Sequence, residues 1–309
     1  MTQRALVTGA AGSIGEAVVG ELVDRGFEVD AWDLVEPRDR PGVTPVGVDL
    51  RQPVDPALVR DYRLVVHLAS VTENRDDRSS LLDHLHSLAM TAHLLDALGE
   101  RVPGAVVTTS SQLVYEAGTQ HPDERAPVAA TTGFAAAKIA SEAFLEAYGQ
   151  RSGVPTAVFR LANIVGPATR RGVVHDFVRR AGEAAAAGDA VKITGSTHHR
   201  RSFLSLADCA SALVDLSDAL PGSPAGRRVF NVANLDSVSI ADVADVVAAV
   251  TGVDFVLERH SDELAWRGDA GTVLPDTARL TAAGWRPRAS SREAVRQAAA
   301  GLWASRAGR

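Results

Sequence analysis

The sequence predicts an α/β fold: a doubly wound parallel sheet flanked by helices, with a smaller C-terminal lobe. Three observations predict it. First, the apolar run Arg4–Thr8 passes without a break into the glycine turn Gly9–Gly15, and a helical pattern follows over Ala17–Arg25. Second, short β-rich runs alternate with helical stretches, the signature of a sheet built from strand–helix–strand units. Third, several of these runs end in acids or hydroxyls, as they do at the carboxyl edge where open α/β sheets bind ligands.

The elements can be justified in order. In the first turn, Gly9, Gly12 and Gly15 let the backbone approach a pyrophosphate closely. Ser13 and Ile14 of the same turn are expected to contact the cofactor, and the N-terminus of the following helix offers N–H groups and a positive dipole end. The strand Glu28–Asp33 then ends in Asp33, whose carboxylate suits the 2′- and 3′-hydroxyls of an adenosine ribose and repels a 2′-phosphate. NAD is therefore expected over NADP, with Arg38 and Arg40 nearby keeping the second reading open. Val46–Leu50 places Asp49 and Leu50 where the adenine would lie. Leu64–Ser70 reads as a buried strand running into a polar loop, Thr72 to Ser80, and His67 reads as a packed strand-end residue. Leu88–Leu98 reads as a helix, and Gly104–Ser111 as a strand that ends in hydroxyls.

The bulk composition bounds the rest. The 309 residues are 46% hydrophobic and 23% charged, enough for one large α/β domain or two smaller ones. The expected division is residues 1–167, with 192–237 returning to them, and a lobe made of 168–191 and 238–309. Net charge of −6 leaves no footprint for nucleic acid. No apolar run approaches the roughly 18 residues of a membrane span, and no signal peptide is expected ahead of the first strand. Cys209 is the single cysteine, in a helical context, and fits a reducing cytoplasm. His84 with His86, and His198 with His199, lack the spacing of metal ligands and read as loop residues, so no metal is expected. Ala181–Gly188 reads as a helix fraying into a turn, and Arg306–Arg309 as a frayed terminus.

Together the motifs resemble the extended short-chain dehydrogenase/reductase family, the Rossmann-type group that includes nucleotide-sugar epimerases and dehydratases. The resemblance spans almost the whole chain. Thr8-Gly9-x-x-Gly12-x-x-Gly15 matches its glycine spacing. His67-Leu68-Ala69-Ser70 is similar to the segment that passes the nicotinamide ribose. Ser110-Ser111-Gln112-Leu113-Val114-Tyr115 is similar to Ser-Ser-x-x-Val-Tyr, which puts Ser111 at the catalytic Ser or Thr. Lys138 falls on the family Lys. Arg160-Leu-Ala-Asn163-Ile-Val-Gly166-Pro167 resembles Arg-x-x-Asn-x-x-Gly-Pro, whose Asn lies near a substrate diphosphate. Gly195–Asp208 resembles a later motif with Arg201 on its Arg, while Ser202 and Ala207 depart from its acids. Arg267-Gly268-Asp269 and Gly284-Trp285-Arg286-Pro287 resemble the closing motifs. A guanidinium fork suits phosphate oxygens, which supports Arg201 and Arg267 as a diphosphate clamp. The resemblance implies a substrate-binding C-terminal lobe, a nucleotide-sugar substrate and NAD retained through the cycle. It also implies a homodimer formed through the helices holding Leu88–Leu98 and Lys138–Tyr148.

One position breaks the pattern. In Gly133-Phe134-Ala-Ala-Ala-Lys138 a Phe stands where the resemblance calls for the Tyr that moves a proton while hydride passes to the nicotinamide. Ser111, Phe134 and Lys138 thus occupy the three catalytic positions, one without its oxygen. Three readings stand open. The chain is a Tyr→Phe replacement of an active enzyme; or another group serves, such as Ser111, Tyr115, a water or a substrate hydroxyl; or the protein is a catalytically silent dinucleotide-binding sensor or scaffold. An epimerase is expected ahead of a dehydratase, because Gln112-Leu113 stands where a dehydratase carries an Asp-Glu pair. A 4-keto reductase remains open.

Overall fold

The computed structural model describes residues 3–72, 80–99, 101–194, 196–259 and 271–307. In chain order the elements begin with β1 (Gln3–Thr8), α1 (Ser13–Asp24), β2 (Phe27–Asp33), β3 (Val43–Gly47), β4 (Leu64–His67), α2 (Leu81–Leu98) and β5 (Val106–Ser111). After these come α3 (Gly133–Ser152), β6 (Pro155–Leu161), β7 (Asn163–Val165), α4 (Val173–Ala187), β8 (Val191–Thr194), β9 (Arg200–Arg201), β10 (Phe203–Ser205) and α5 (Leu206–Asp218). The chain continues through β11 (Gly226–Val232), β12 (Val238–Ser239), α6 (Ile240–Thr251), β13 (Phe255–Arg259), α7 (Ala278–Ala282) and α8 (Ser291–Ala307).

Two compact units emerge. The first holds 1–117, 124–161 and 210–231, and the second holds 118–123, 162–209 and 232–309. This division differs from the sequence expectation: the segment that returns to the first unit is 210–231, not 192–237, and residues 162–167 fall in the second unit.

The first unit carries a seven-stranded sheet in the order β11-β6-β5-β4-β1-β2-β3. The pairs β3–β2, β2–β1, β1–β4, β4–β5 and β5–β6 are all parallel. From β3 to β6 this is the doubly wound Rossmann order, whose direction reverses between β1 and β4. Buried strands of such sheets carry continuous apolar runs, and Ala5-Leu6-Val7 and Leu64-Val65-Val66 are fully or almost fully buried. On one face Leu94 and Leu98 of α2 and Leu145 and Tyr148 of α3 share a core with Leu6, Val65, Val106 and Val158.

Local chemistry sets the helix ends. α1 buries Gly15, Val18, Val19 and Leu22, one stripe at helical spacing. α2 starts at a capping box in which Ser80 Oγ accepts from Asp83 N and the Asp83 carboxylate accepts from Ser80 N. It therefore begins seven residues before the expected Leu88, and it carries His84 and His86 on a helix and not on the expected loop. Thr132 caps α3 by accepting from Ala135 N, and Gly153 closes it at φ +74°. α4 runs unbroken to Ala187 and stops on Gly188 at φ +74°, so the Ala-rich stretch has a defined cap and does not fray. Arg306 lies inside α8, not in a frayed tail.

In the second unit α4, α6 and α8 pack together through Phe177, Val178, Val243, Val247, Val295 and Ala298, with Phe203 of β10 in the same core. Three two-stranded ladders accompany them: β7 with β10, β9 with β12 and β8 with β13. Among the described residues no helix is long and apolar enough to cross a membrane.

Candidate active site

The glycine turn is built so tightly that side chains do not fit. A Cβ on Gly9, at φ +71°, would stand 2.7 Å from Ala69 N, and one on Gly15 would stand 2.1 Å from Gly9 O. The turn thereby holds the ends of β1 and β4 together and presents backbone at the start of α1. Gly12, the N-cap residue, supplies no side-chain cap. At the end of β2 the Asp33 carboxylate accepts from Ala11 N at 3.0 Å and from Val35 N at 3.1 Å, which fastens it beside the turn. Arg38 pairs with the Glu16 carboxylate, and Arg40 donates to the Glu16 carbonyl oxygen. Helix-end amides beside a strand-end carboxylate are the donor set a dinucleotide requires, so these residues fit NAD.

Asp49 lies beyond β3, which ends at Gly47. Its carboxylate accepts from Arg51 side-chain and backbone groups, and these bonds hold it down at about 2. Leu50 is buried, and its carbonyl meets His93 Nδ1 at 2.9 Å. Leu68, Ala69 and Ser70 follow β4. Ser70 Oγ lies 3.2 Å from Ser87 Oγ, which also accepts from Val71 N.

His67 ties these pieces together. Its Nδ1 is 2.7 Å from Thr8 Oγ1, and its Nε2 is 3.1 Å from Thr91 Oγ1, which reaches Ser141 Oγ on α3 at 3.1 Å. Burial, with the nearby Lys138 charge adding to it, pushes the imidazole down to about 3. A depressed folded value means that the unfolded chain binds the extra proton first. The stability His67 confers is complete above its unfolded value near 6.5 and is lost as pH falls from there toward 3, about 5 kcal/mol in all. His67→Gln removes the titration. Its unfolding free energy, measured by urea titration between about pH 6 and 4, is expected to fall less steeply by about 1.4 kcal/mol per pH unit; an unchanged slope would refute this account.

Phe134 and Lys138 share a face of α3. The Lys138 ammonium lies 5.8 Å from the Phe134 ring centroid and donates to Thr109 O on β5 at 3.0 Å. Only 8% of Lys138 is exposed, and this burial pushes it down to about 8 while the Glu142 carboxylate pulls the other way. Ser111 ends β5 and caps the short turn Gln112–Val114 by accepting from Leu113 N at 3.2 Å.

Several residues of this site were missed in the sequence. His84 is buried on α2 and meets the Phe134 ring edge-on at 6.5 Å; the Ser80-x-x-Asp83 capping box was the available signal. Gly133 permits that approach, since a Cβ there would lie 2.5 Å from His84 Cδ2. Gln112 is buried, and its Oε1 has no hydrogen-bond partner among the described residues. Behind α3, Arg160 makes a two-pronged bond to Glu142 at 3.0 and 2.8 Å and lies over the Tyr115 ring, whose hydroxyl donates to Asn231 Oδ1 at 2.5 Å. A cavity of about 430 Å³ between the first turns of α2 and α3 is lined by Leu81, His84, Thr131 and Gly133, and by none of the residues expected to hold the dinucleotide.

The remaining expected residues belong to the second unit. Asn163, at the start of β7, donates its side-chain amide to Ser202 O at 3.1 Å. Arg201 lies on β9 opposite Val238, and its guanidinium donates to Arg200 O at 3.2 Å. Ser202, one of the departures from the expected acids, is buried and accepts from Asn234 N at 2.8 Å. Arg267 lies outside the described residues, as do most of the loop Thr72 to Ser80 and Gly195. Among the described residues no group of His, Cys, Asp and Glu is arranged to hold a metal.

Comparison with known proteins identifies the family. The NAD dependent epimerase/dehydratase family matches residues 5–233, and the chain belongs to that family; its cofactor is NAD. The chain is 28% identical to a UDP-glucose 4-epimerase of Mycolicibacterium smegmatis, over 94% of this chain and 96% of that one. It is also 28% identical to a dTDP-4-dehydro-6-deoxy-D-allose reductase of a Streptomyces species, over 80% and 81%. The crystal structure of a UDP-galactose 4-epimerase superposes with a TM-score of 0.84 at 28% identity, covering 98% of this chain and 99% of that one.

Proposed function

We propose that the protein is a nucleotide-sugar epimerase that oxidises a sugar hydroxyl transiently and returns the hydride to the opposite face. One observation carries the reading: a buried lysine, anchored on the end of β5 two residues before Ser111, shares its helix face with the Phe134 ring. The absence of an acid pair after Ser111 supports epimerisation over dehydration. The likeness to epimerases at almost full length supports a UDP-sugar as substrate.

In this reading Gly9, Gly12, Ser13, Ile14 and Gly15 bind the pyrophosphate, and Asp33 binds the adenosine ribose. Asp49 and Leu50 border the adenine, and Leu68, Ala69 and Ser70 line the nicotinamide ribose together with Lys138. NAD supplies a hydride acceptor and donor. Ser111 hydrogen-bonds the reacting oxygen. Asn163, Arg201 and Arg267 are assigned to the substrate diphosphate. The protein is placed in the cytoplasm, consistent with its single buried cysteine. The test is bound NAD in the purified protein together with interconversion of UDP-glucose and UDP-galactose by native and Phe134→Tyr protein. Ligand binding without turnover in either would turn the assignment toward a sensor. The reductase likeness supports a second reading, reduction of a 4-keto sugar nucleotide. That reading requires release of oxidised cofactor after each turnover.

The proposal includes a homodimer. α2 exposes Leu82 and Leu85, and α3, packed against α2, exposes Phe144. Exposed apolar residues on a paired helical face suit a two-fold interface. Sedimentation equilibrium is expected to give twice the protomer mass, and Leu82→Asp with Leu85→Asp is expected to give one. A native protein that sediments as a single protomer would remove this part of the proposal.

A further inference from the structure

We infer that in this chain the ε-amine of Lys138 is itself the proton acceptor for the substrate hydroxyl. The inference rests on the sugar-oxidation reading above. Its basis is placement. Lys138 sits one helical turn after Phe134, with its nitrogen against the ring that lacks a hydroxyl. Thr109 O is the single described acceptor for its three N–H groups. The nitrogen is thus held at the β5 end and keeps two directions for other oxygens.

The neighbouring groups are engaged or unsuited. Ser111 Oγ already accepts from Leu113 N. The Tyr115 hydroxyl is committed to Asn231, and burial holds it above its ordinary value. Both ring nitrogens of His67 face hydroxyls, and burial keeps that ring neutral. Glu142 on its own helix favours the charged Lys138, and Lys138 in turn disfavours the charged form of His67 on β4. Burial brings the amine to about 8, so a substantial fraction is neutral at mildly alkaline pH.

The step balances. The substrate C–H leaves as hydride to the oxidised nicotinamide, the O–H proton moves to the Nζ lone pair, and a C=O and an ammonium result. Returning hydride reforms the carbinol, and the ammonium gives its proton back to the oxygen.

The experiment follows the first turnover of NAD-loaded protein with UDP-glucose, read as reduced nicotinamide, from about pH 6 to 10, alongside an NMR titration of the lysine ε-carbons. Native protein is expected to show a rate that rises through a midpoint near 8 and a Lys138 signal titrating at the same pH. Lys138→Arg keeps a cation but cannot deprotonate. It is expected to bind NAD and lose turnover by about 100-fold or more. A flat native pH profile, a Lys138 signal titrating near its ordinary value, or a Lys138→Arg protein as fast as native overturns the inference. So does loss of turnover in His84→Gln with Lys138→Arg still active, which assigns the proton to the imidazole. Phe134→Tyr separates the two levels. If it oxidises the sugar while native protein is inert at every pH, the lysine assignment alone fails. If neither reacts although both bind NAD, the sugar-oxidation reading fails and carries the lysine assignment with it.

Discussion

Phe134→Tyr is expected to raise the rate of sugar-nucleotide interconversion by about 10²–10⁴, the usual worth of a positioned proton-transfer group. The substitution adds one oxygen to a ring that is only half-buried, so it creates no overpacking. Its ring centroid is already 5.8 Å from the Lys138 ammonium, and α3 presents its N-terminus at the same point. Both charges favour a phenolate and draw its proton affinity toward neutral pH. NAD affinity is expected to stay unchanged, because the glycine turn and Asp33 are untouched. Steady-state kinetics with UDP-sugars and calorimetry with NAD check both halves. A variant that binds both ligands yet gains no rate would place the ring away from the reacting carbon.

Glu142→Ala is expected to destabilise the first unit by roughly 3–5 kcal/mol, the cost of leaving a buried charge without its partner. The side chains of Arg160 and Glu142 are each 5% exposed, and Arg227 also reaches the same carboxylate at 3.2 Å. Burial opposes the Arg160 charge, and the Glu142 bonds more than offset it, holding the guanidinium above its ordinary value. Removing the carboxylate also loosens Tyr115, which stacks on Arg160 and ends the turn that follows Ser111. Glu142→Gln keeps the shape and removes the charge. It is expected to lower the Lys138 value further, moving the alkaline limb of the rate profile down. Replacing both partners by apolar residues of similar volume is expected to recover most of the stability, since an apolar pair needs no charge compensation. Urea titration of the three variants measures this; a loss below about 1 kcal/mol for Glu142→Ala would contradict it.

The expectations for the cofactor side rest on local signals. The glycine spacing, the acid ending β2 and the four-residue step from Phe134 to Lys138 each lie within one short segment, and short-range geometry decides what they can do. The start of α2 was less legible. Leu81-Leu82-Asp83-His84 mixes apolar and polar residues without a clean stripe, so its capping box carried the signal that periodicity did not. The boundaries of the second unit were misplaced because β7, β9 and β10 are only two or three residues long and are defined by their pairing, not by composition.

The sequence alone determined the strand–turn–helix that suits a dinucleotide, the doubly wound order it starts, and the Phe134 that stands one helical turn before Lys138. Each depends on residues a few positions apart, whose conformations are restricted by backbone sterics and side-chain spacing. Only the tertiary structure decided that His67 bridges Thr8 and Thr91, that Glu142 neutralises Arg160, and that Lys138 is buried against the Thr109 carbonyl. Those partners are far apart along the chain. Their charges and proton affinities depend on burial, which arises only when sheet and helices close over them.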